Sequence, residues 1–396
     1  MDYNSVFRDT AREIKPSGIR KFFDIAAEMD DIISLSVGEP DFLTPWHIRK
    51  AAIQTLEKGK TRYSANKGMS ELCEEITKYY SRRFSLEYDP VTEAMVTVGG
   101  SEAIDIAIRT LVNSGDEVII PEPCFVCYSP IAQLMGGVCV PIETRAEDDF
   151  KLTAEQLRAA ITPKTKLLIL PYPNNPTGAV MRAADLEAVA EVLRGTDIMV
   201  LSDEIYAELT YGGEQHVSIA SIDGMRERTI VVNGFSKAYS MTGWRLGFVL
   251  APSPVIEIMN KIHQYAIMCS PTTSQYAAIE ALRNGDEGVA DMRNDYDMRR
   301  KFIVNGFREM GFECMLPGGA FYVFPCIKSS GLSSAEFCTR LILFHKVAIV
   351  PGDAFGACGE GFVRVSYAYS LSHITEALTR IKRFVDDDLG LSLPQK

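Results

Sequence analysis

A lysine placed directly after an apolar strand is an unusual surface cation and a usual reactive amine. The segment Asn233-Gly-Phe-Ser-Lys-Ala-Tyr-Ser-Met-Thr-Gly-Trp-Arg-Leu-Gly247 puts Lys237 in that place, with Arg245 eight residues later. In a partly desolvated site a lysine has a lowered pKa, so its neutral amine can form a Schiff base with a carbonyl compound. An arginine can fork onto a phosphate. Three further apolar runs end in groups of the same kind. Gly99-Gly100-Ser101 follows AMVTV, Asn174-Asn175 follows LLILPYP, and Asp203 follows IMVLS. Any one of these is an ordinary polar turn. Four of them at the ends of successive strands point to one shared site, because ligands of open α/β sheets gather at the carboxyl ends of the strands.

The elements that must position these groups alternate. AMVTV (94–98), EVII (117–120), VCVPIE, KLLILPY (166–172), IMVLSDE (198–204) and TIVVNGF (229–235) predict strands. Helical patterns at 101–111, near 128–135, at 153–161 and at 183–194 separate them. Continuous Val, Ile and Leu runs suit strands buried on both faces, and alternation of β with α implies a mostly parallel sheet with right-handed crossovers. Beyond about residue 285 the pattern changes. A charged helical run (291–310), FYVFP, a helix near 333–345, VAIVPG, FVRVSYA and a last amphipathic helix predict a smaller α+β lobe, which the first forty or so residues join. The expected domains are residues 46–284, and residues 1–45 with 285–396.

Composition narrows the function. The chain has 396 residues, 46% of them hydrophobic, enough for more than one core. Its net charge of -11 does not suit a nucleic-acid binder, which needs clustered Lys and Arg. The N-terminal stretch lacks the apolar core of a signal peptide, and no run approaches the length of a membrane span. Nine cysteines, an odd number at irregular spacing, read as reduced thiols of a cytoplasmic protein. Cys124 and Cys127 form a CxxC, but without a second pair it does not complete a metal site, so no metal is expected. The Gly356–Gly361 glycine cluster lacks the strand and helix of a dinucleotide loop and reads as a turn.

The words LSVGEPDF, RYSANKG, GGSEA, YPNNPTG, LSDEIY, SKAYSMTGWRLG and VRVSYA occur here in the order seen in one family. The chain resembles the class I/II pyridoxal-phosphate-dependent aminotransferases over nearly its whole length, from Ile19 onward. The resemblance implies a fold-type-I α/β transferase: a large domain with a mostly parallel sheet of the seven-stranded type between helices, plus a smaller α+β domain. It also implies pyridoxal 5′-phosphate as cofactor, an amino acid and a 2-oxo acid as substrates, and a homodimer with shared active sites. Neither nucleic acid nor membrane is an expected partner.

The roles implied residue by residue each make chemical sense. Lys237 would carry the cofactor and later shuttle the proton between the substrate Cα and the cofactor C4′. Asp203 would keep the pyridine nitrogen protonated, so that the ring can act as an electron sink. Asn175 and Tyr206 would hydrogen-bond the phenolic oxygen, and Phe125 would stack on the ring. The phosphate would sit on the backbone amides of Gly100, Ser101 and Glu102 at a helix N-terminus. Ser236 and Arg245 would add donors, as would the partner subunit's Tyr63. Arg364 would clamp the substrate α-carboxylate bidentately, with Gly38 and Asn175 beside it. One departure is visible: many relatives carry a hydroxyl residue three positions before the lysine, where this chain has Gly234.

The wording SGIRKF, GEPDF and LPYPNNPTG is most similar to the subgroup holding aromatic and N-acetyl-diaminopimelate aminotransferases. Some aspartate-specific relatives place a lysine after the paired glycines of the phosphate word, where this chain has Ser101. The expectation is therefore a broad or aromatic amino donor with 2-oxoglutarate as acceptor, in a two-stage exchange. The alternative is a pyridoxal-phosphate β-lyase acting on cystathionine-like substrates, which uses the same lysine and aspartate. A non-enzymatic regulator built on the same fold carries a basic helix-turn-helix domain ahead of it, and here the family pattern begins by about Ile19.

Overall fold

The computed structural model describes residues 1, 3–16, 18, 29 and 31–389. The SGIRKF word, Gly18 apart, lies outside the described residues. In chain order the strands are β1 (Ile33–Ser34), β2 (Ala94–Thr97), β3 (Glu117–Glu122), β4 (Val138–Glu143), β5 (Thr165–Leu170), β6 (Met199–Asp203), β7 (Thr229–Gly234), β8 (Gly247–Leu250), β9 (Tyr322–Val323), β10 (Val347–Ala348), β11 (Val350–Pro351) and β12 (Val363–Ser366). Seven of them form one sheet in the order β2-β8-β7-β6-β5-β3-β4. Its pairings are parallel except the two made by β8.

The apolar runs form strands here because both of their faces find a partner. In β5, Leu167 and Ile169 pack with Ala103, Ile106 and Ile256 from two helices on one face. Leu168 and Leu170 pack with Leu157, Leu186 and Val189 on the other. The sequence reading passes over β8, a short GFVL run with no helix before it to mark a crossover. It enters antiparallel between β2 and β7, so the Lys237–Arg245 segment is the connection of a β7–β8 hairpin rather than a strand-to-helix turn.

A second core collects Phe307, Phe312, Phe321, Phe337, Ile349, Val365, Ile374 and Ile381 around a three-stranded sheet, β11-β12-β9. Beside it β1 pairs in parallel with β10. Tyr206, Leu209 and Tyr211, just beyond β6, join this second core. The carboxyl ends of β5, β6 and β7 therefore face a boundary between two cores. Among the described residues no helix is long and apolar enough to cross a membrane.

Candidate active site

At that boundary lies a cavity of about 280 Å³. The hairpin connection after β7 brings Lys237 into it, partly buried, with its Nζ 2.6 Å from the Gly38 carbonyl. Burial pushes the Lys237 pKa down to about 8; Arg364 and Arg245 act in the same sense, while Glu39 and Asp203 oppose it. The sequence argument for a desolvated amine thus has its structural counterpart.

Asp203, the last residue of β6, is buried at the floor. Its carboxylate accepts from the Tyr128 hydroxyl at 2.7 Å and from the Ile205 N–H at 3.2 Å. Burial nevertheless holds its pKa above the ordinary carboxylate value. Three residues further along the chain, the Tyr206 hydroxyl stands 2.9 Å from that of Tyr322.

Arg364 shows what strand alternation leaves open. Its Val neighbours face one side of β12 and the arginine faces the other, which is not solvent: Arg364 is 2% exposed. One nitrogen donates to Asn175 Oδ1 at 3.1 Å and another to the Ser36 carbonyl. Its guanidinium lies between the rings of Tyr322 and Phe355, at 4.6 and 4.8 Å from their centroids. Its Nε is buried with no hydrogen-bond partner among the described residues. A buried donor of this kind is costly unless something accepts from it.

On the other wall, the helix Gly99–Leu111 starts at the cavity with Gly100 and Ser101 in the lining. The Gly99–Gly100 backbone leaves a cradle. A Cβ on Gly247 would stand 2.7 Å from Gly99 C and 2.8 Å from Gly100 N, and a Cβ on Gly99 would stand 2.7 Å from Arg245 Nη2. Arg245 adopts the left-handed region, φ 50°, which few non-glycine residues occupy without a local reason. A helix N-terminus, a guanidinium and backbone packed too closely for side chains fit an anionic group such as the phosphate of the implied cofactor. Gly234 belongs to the same packing: a Cβ there would meet Gly247 Cα and Leu246 O at 3.0 Å, which accounts for the missing hydroxyl residue.

Of the residues singled out from the sequence, Gly38, Gly100, Ser101, Phe125, Asn175, Asp203, Tyr206, Ser236, Lys237, Arg245 and Arg364 line this one cavity. Two do not. The Glu102 side chain turns back to accept the Val98 N–H and to face buried His263 Nδ1 at 2.8 Å. Tyr63 is 82% exposed and outside the lining. Three lining residues with side-chain hydroxyls escape the sequence reading: Tyr128, Tyr322 and Thr242. Tyr128 lies three residues after Phe125, in the first turn of a short helix, and that spacing was the available signal. Tyr322 sits in FYVFP, which reads as plain strand. Among the described residues, no group of three or more His, Cys, Asp or Glu is placed to hold a metal ion.

Comparison with known proteins agrees with this geometry. Residues 30–381 match the family described as aminotransferase class I and II. A Bacillus subtilis relative that carries an aminotransferase name is 54% identical, over 96% of this chain and 98% of that one. An aspartate aminotransferase of Pyrococcus abyssi is 47% identical, over 93% and 96%. The crystal structure of an aromatic aminotransferase from Pyrococcus horikoshii superposes with a TM-score of 0.89 at 44% identity, covering 94% of this chain and all of that one.

Proposed function

The chain belongs to the class I and II aminotransferases and is a pyridoxal-phosphate-dependent enzyme; we propose that it moves the amino group of an aromatic or broadly chosen L-amino acid to 2-oxoglutarate. The observation that carries the reading is the convergence of Lys237, Asp203, Arg245 and Arg364 on one cavity. When bound, the cofactor supplies an aldehyde that condenses with amines and a protonated ring that takes up the electron pair left at the substrate Cα. Arg245 and the first amides of the Gly99–Leu111 helix would hold its phosphate, and Phe125 would stack on its ring. Asp203, its carboxylate fixed by Tyr128, would keep a proton on the ring nitrogen. Asn175 and Tyr206 would donate to the phenolic oxygen. Arg364 would hold the substrate carboxylate, and Lys237 Nζ, whose pKa burial pushes down to about 8, would take the Cα proton and pass it to the cofactor C4′. Reversing these steps with a second oxo acid gives a ping-pong cycle in one cavity.

The aromatic or broad preference rests on charge. The lining contains three cations, Lys237, Arg245 and Arg364, each already assigned to cofactor or α-carboxylate. Among the described residues no further cation lines the cavity to select a distal carboxylate, while Ile104, Ile205, Phe125 and Tyr322 offer apolar surface. The homodimer is supported by the region around Tyr63. Arg62 and Ser64 are bonded to Thr272 and Gln275, and Asn66 to Met268. Tyr63, Tyr265 and Met268 in these segments are exposed, a surface that a second copy would cover while bringing its Tyr63 to the phosphate. A division into residues 46–284 and residues 1–45 with 285–396 is supported by the small-sheet core, although Tyr206, Leu209 and Tyr211 also pack there, and nine free thiols support a cytoplasmic location.

The test is an absorption spectrum of the purified protein with single amino acids. A visible cofactor band that bleaches with an aromatic donor and returns with 2-oxoglutarate is expected. No band after pyridoxal phosphate is added refutes the assignment. Aspartate preferred more than about tenfold in rate, about 1.4 kcal/mol, refutes the donor class.

A further inference from the structure

Tyr322 has no role in the scheme above, yet it touches three parts of it. It is 1% exposed. Its hydroxyl is 2.9 Å from the Tyr206 hydroxyl, and its ring lies 4.6 Å beneath the Arg364 guanidinium. It also fills the space over Gly38, where any Cβ would overlap its hydroxyl. Tyr322 stands on β9, paired with Ser366 of β12, so it is fixed by the same small sheet that carries Arg364. Tyr206 comes from the connection after β6. The hydroxyl pair therefore ties the connection after β6 of the large sheet to β9 of the small one within a single core, and it sits in the cavity wall.

A hydroxyl that accepts one hydrogen bond donates the next more strongly. Burial holds the Tyr322 pKa above its ordinary value, and the Arg364 charge over the ring and the Tyr206 hydrogen bond oppose that rise. If Tyr206 gives its proton to the cofactor's phenolic oxygen, its own oxygen is left to accept, and the Tyr322 hydroxyl is the partner at bonding distance.

We propose that Tyr322 is a positioning residue that donates to Tyr206, turning the Tyr206 hydroxyl toward the cofactor oxygen and linking Arg364 to it. This rests on the functional reading above. It makes a prediction that a packing role does not. A donor to the phenolic oxygen stabilises it as an anion without the proton that the neighbouring imine nitrogen would share. Weakening that donor therefore raises the pH at which the holoenzyme's visible absorption titrates.

The experiment is a spectrophotometric pH titration of the holoenzyme, unmodified and as Tyr322→Phe, Tyr206→Phe and Tyr367→Phe. Tyr367 is the control. It is a fully buried tyrosine of the same lobe whose hydroxyl donates to the Ala320 carbonyl at 3.1 Å rather than to Tyr206. Expected is an upward shift of the absorption midpoint in Tyr322→Phe of about half a pH unit, the size of one neutral hydrogen bond. Tyr206→Phe should shift it further, and Tyr367→Phe should leave it in place. An unmoved midpoint in Tyr322→Phe beside a shifted one in Tyr206→Phe overturns the proposal. So do equal shifts in Tyr322→Phe and Tyr367→Phe, which would mark general loosening, and so does an unmoved Tyr206→Phe. An unmodified protein with no visible band would overturn the functional reading itself.

Discussion

Replacing Arg364 by lysine keeps a positive charge at the site and removes the fork. In the structure the guanidinium uses two nitrogens to hold Asn175 and the Ser36 carbonyl and leaves Nε buried without an acceptor among the described residues. A substrate carboxylate bound there gains two charge-assisted hydrogen bonds. A lysine can make one of them, from a shorter reach and from a position 2% exposed, where burial lowers the pKa of an ammonium. Each lost bond to a charged group is worth about 1.5–3 kcal/mol. One to two such losses lower kcat/KM for an amino acid by roughly 10- to 10⁴-fold, with about 10²–10³ as the central expectation. The assay compares initial rates of Arg364→Lys with an aromatic amino acid and with the matching amine that has no carboxylate. The amine has nothing to lose at Arg364, so its rate should fall less than about threefold, well under 1 kcal/mol. The visible cofactor band in the same sample reports that the site is assembled. With the band intact, an equal loss for both donors, or no loss for the amino acid, refutes the clamp.

Tyr128→Phe removes the 2.7 Å hydrogen bond that lowers the Asp203 pKa. The carboxylate then protonates at higher pH, so the acid limb of the kcat/KM profile should move upward; an unmoved limb argues that Asp203 is held by other means. In the cofactor-free protein Lys237 titrates at about 8 rather than at its ordinary 10.5. Between those values the unfolded chain holds the extra proton, so stability should rise with pH across that window, and below about pH 8 the cost of the buried ammonium is fully present. Thermal melts at pH 7.5 and 10 should differ less in Lys237→Met than in the parent, and an unchanged difference would place the titration elsewhere. Gly247→Ala drives a Cβ to 2.7 Å from Gly99 C and 2.8 Å from Gly100 N. Loss of one or two bonds to the phosphate should weaken pyridoxal phosphate binding by about 10- to 100-fold, read by titrating the apoprotein; parent-like affinity would remove the cradle from the phosphate site.

The sheet was legible because its strands are buried on both faces, and burial of that kind spells itself as uninterrupted Val, Ile and Leu. The reactive groups were legible for a related reason. Lys237, Asp203 and Asn175 stand where those runs stop, and polar groups at strand ends can only face the site or solvent. β8 was not legible, since a four-residue strand entering antiparallel beside β7 leaves no helical spacer. Tyr128 and Tyr322 were hidden by chemistry rather than topology. A tyrosine spends most of its surface as an apolar ring, so its pattern is that of core, and only the position of the hydroxyl partner shows otherwise. That partner, Asp203 or Tyr206, lies 75 or 116 residues away along the chain. Strand alternation puts Arg364 on the face opposite its Val neighbours, yet what covers that face depends on Tyr322 and Phe355, which come from different elements.

The distribution of these groups between two cores has a chemical consequence. Lys237, Asp203 and Arg245 are carried by the seven-stranded sheet, while Arg364 and Tyr322 belong to the smaller one. The segment from Ser36 to Gly38 lies between them and is held from both sides, by Arg364 on the Ser36 carbonyl and by Lys237 on the Gly38 carbonyl. A bond from Lys237 Nζ to the cofactor would compete with the second of these hydrogen bonds, and a carboxylate at Arg364 would compete with the first, so both would act on one three-residue strap. The distance from the carboxylate clamp to the proton-transferring amine, on which the rate of Cα deprotonation depends, is set by how the two sheets are joined through that strap and through the Tyr206–Tyr322 pair.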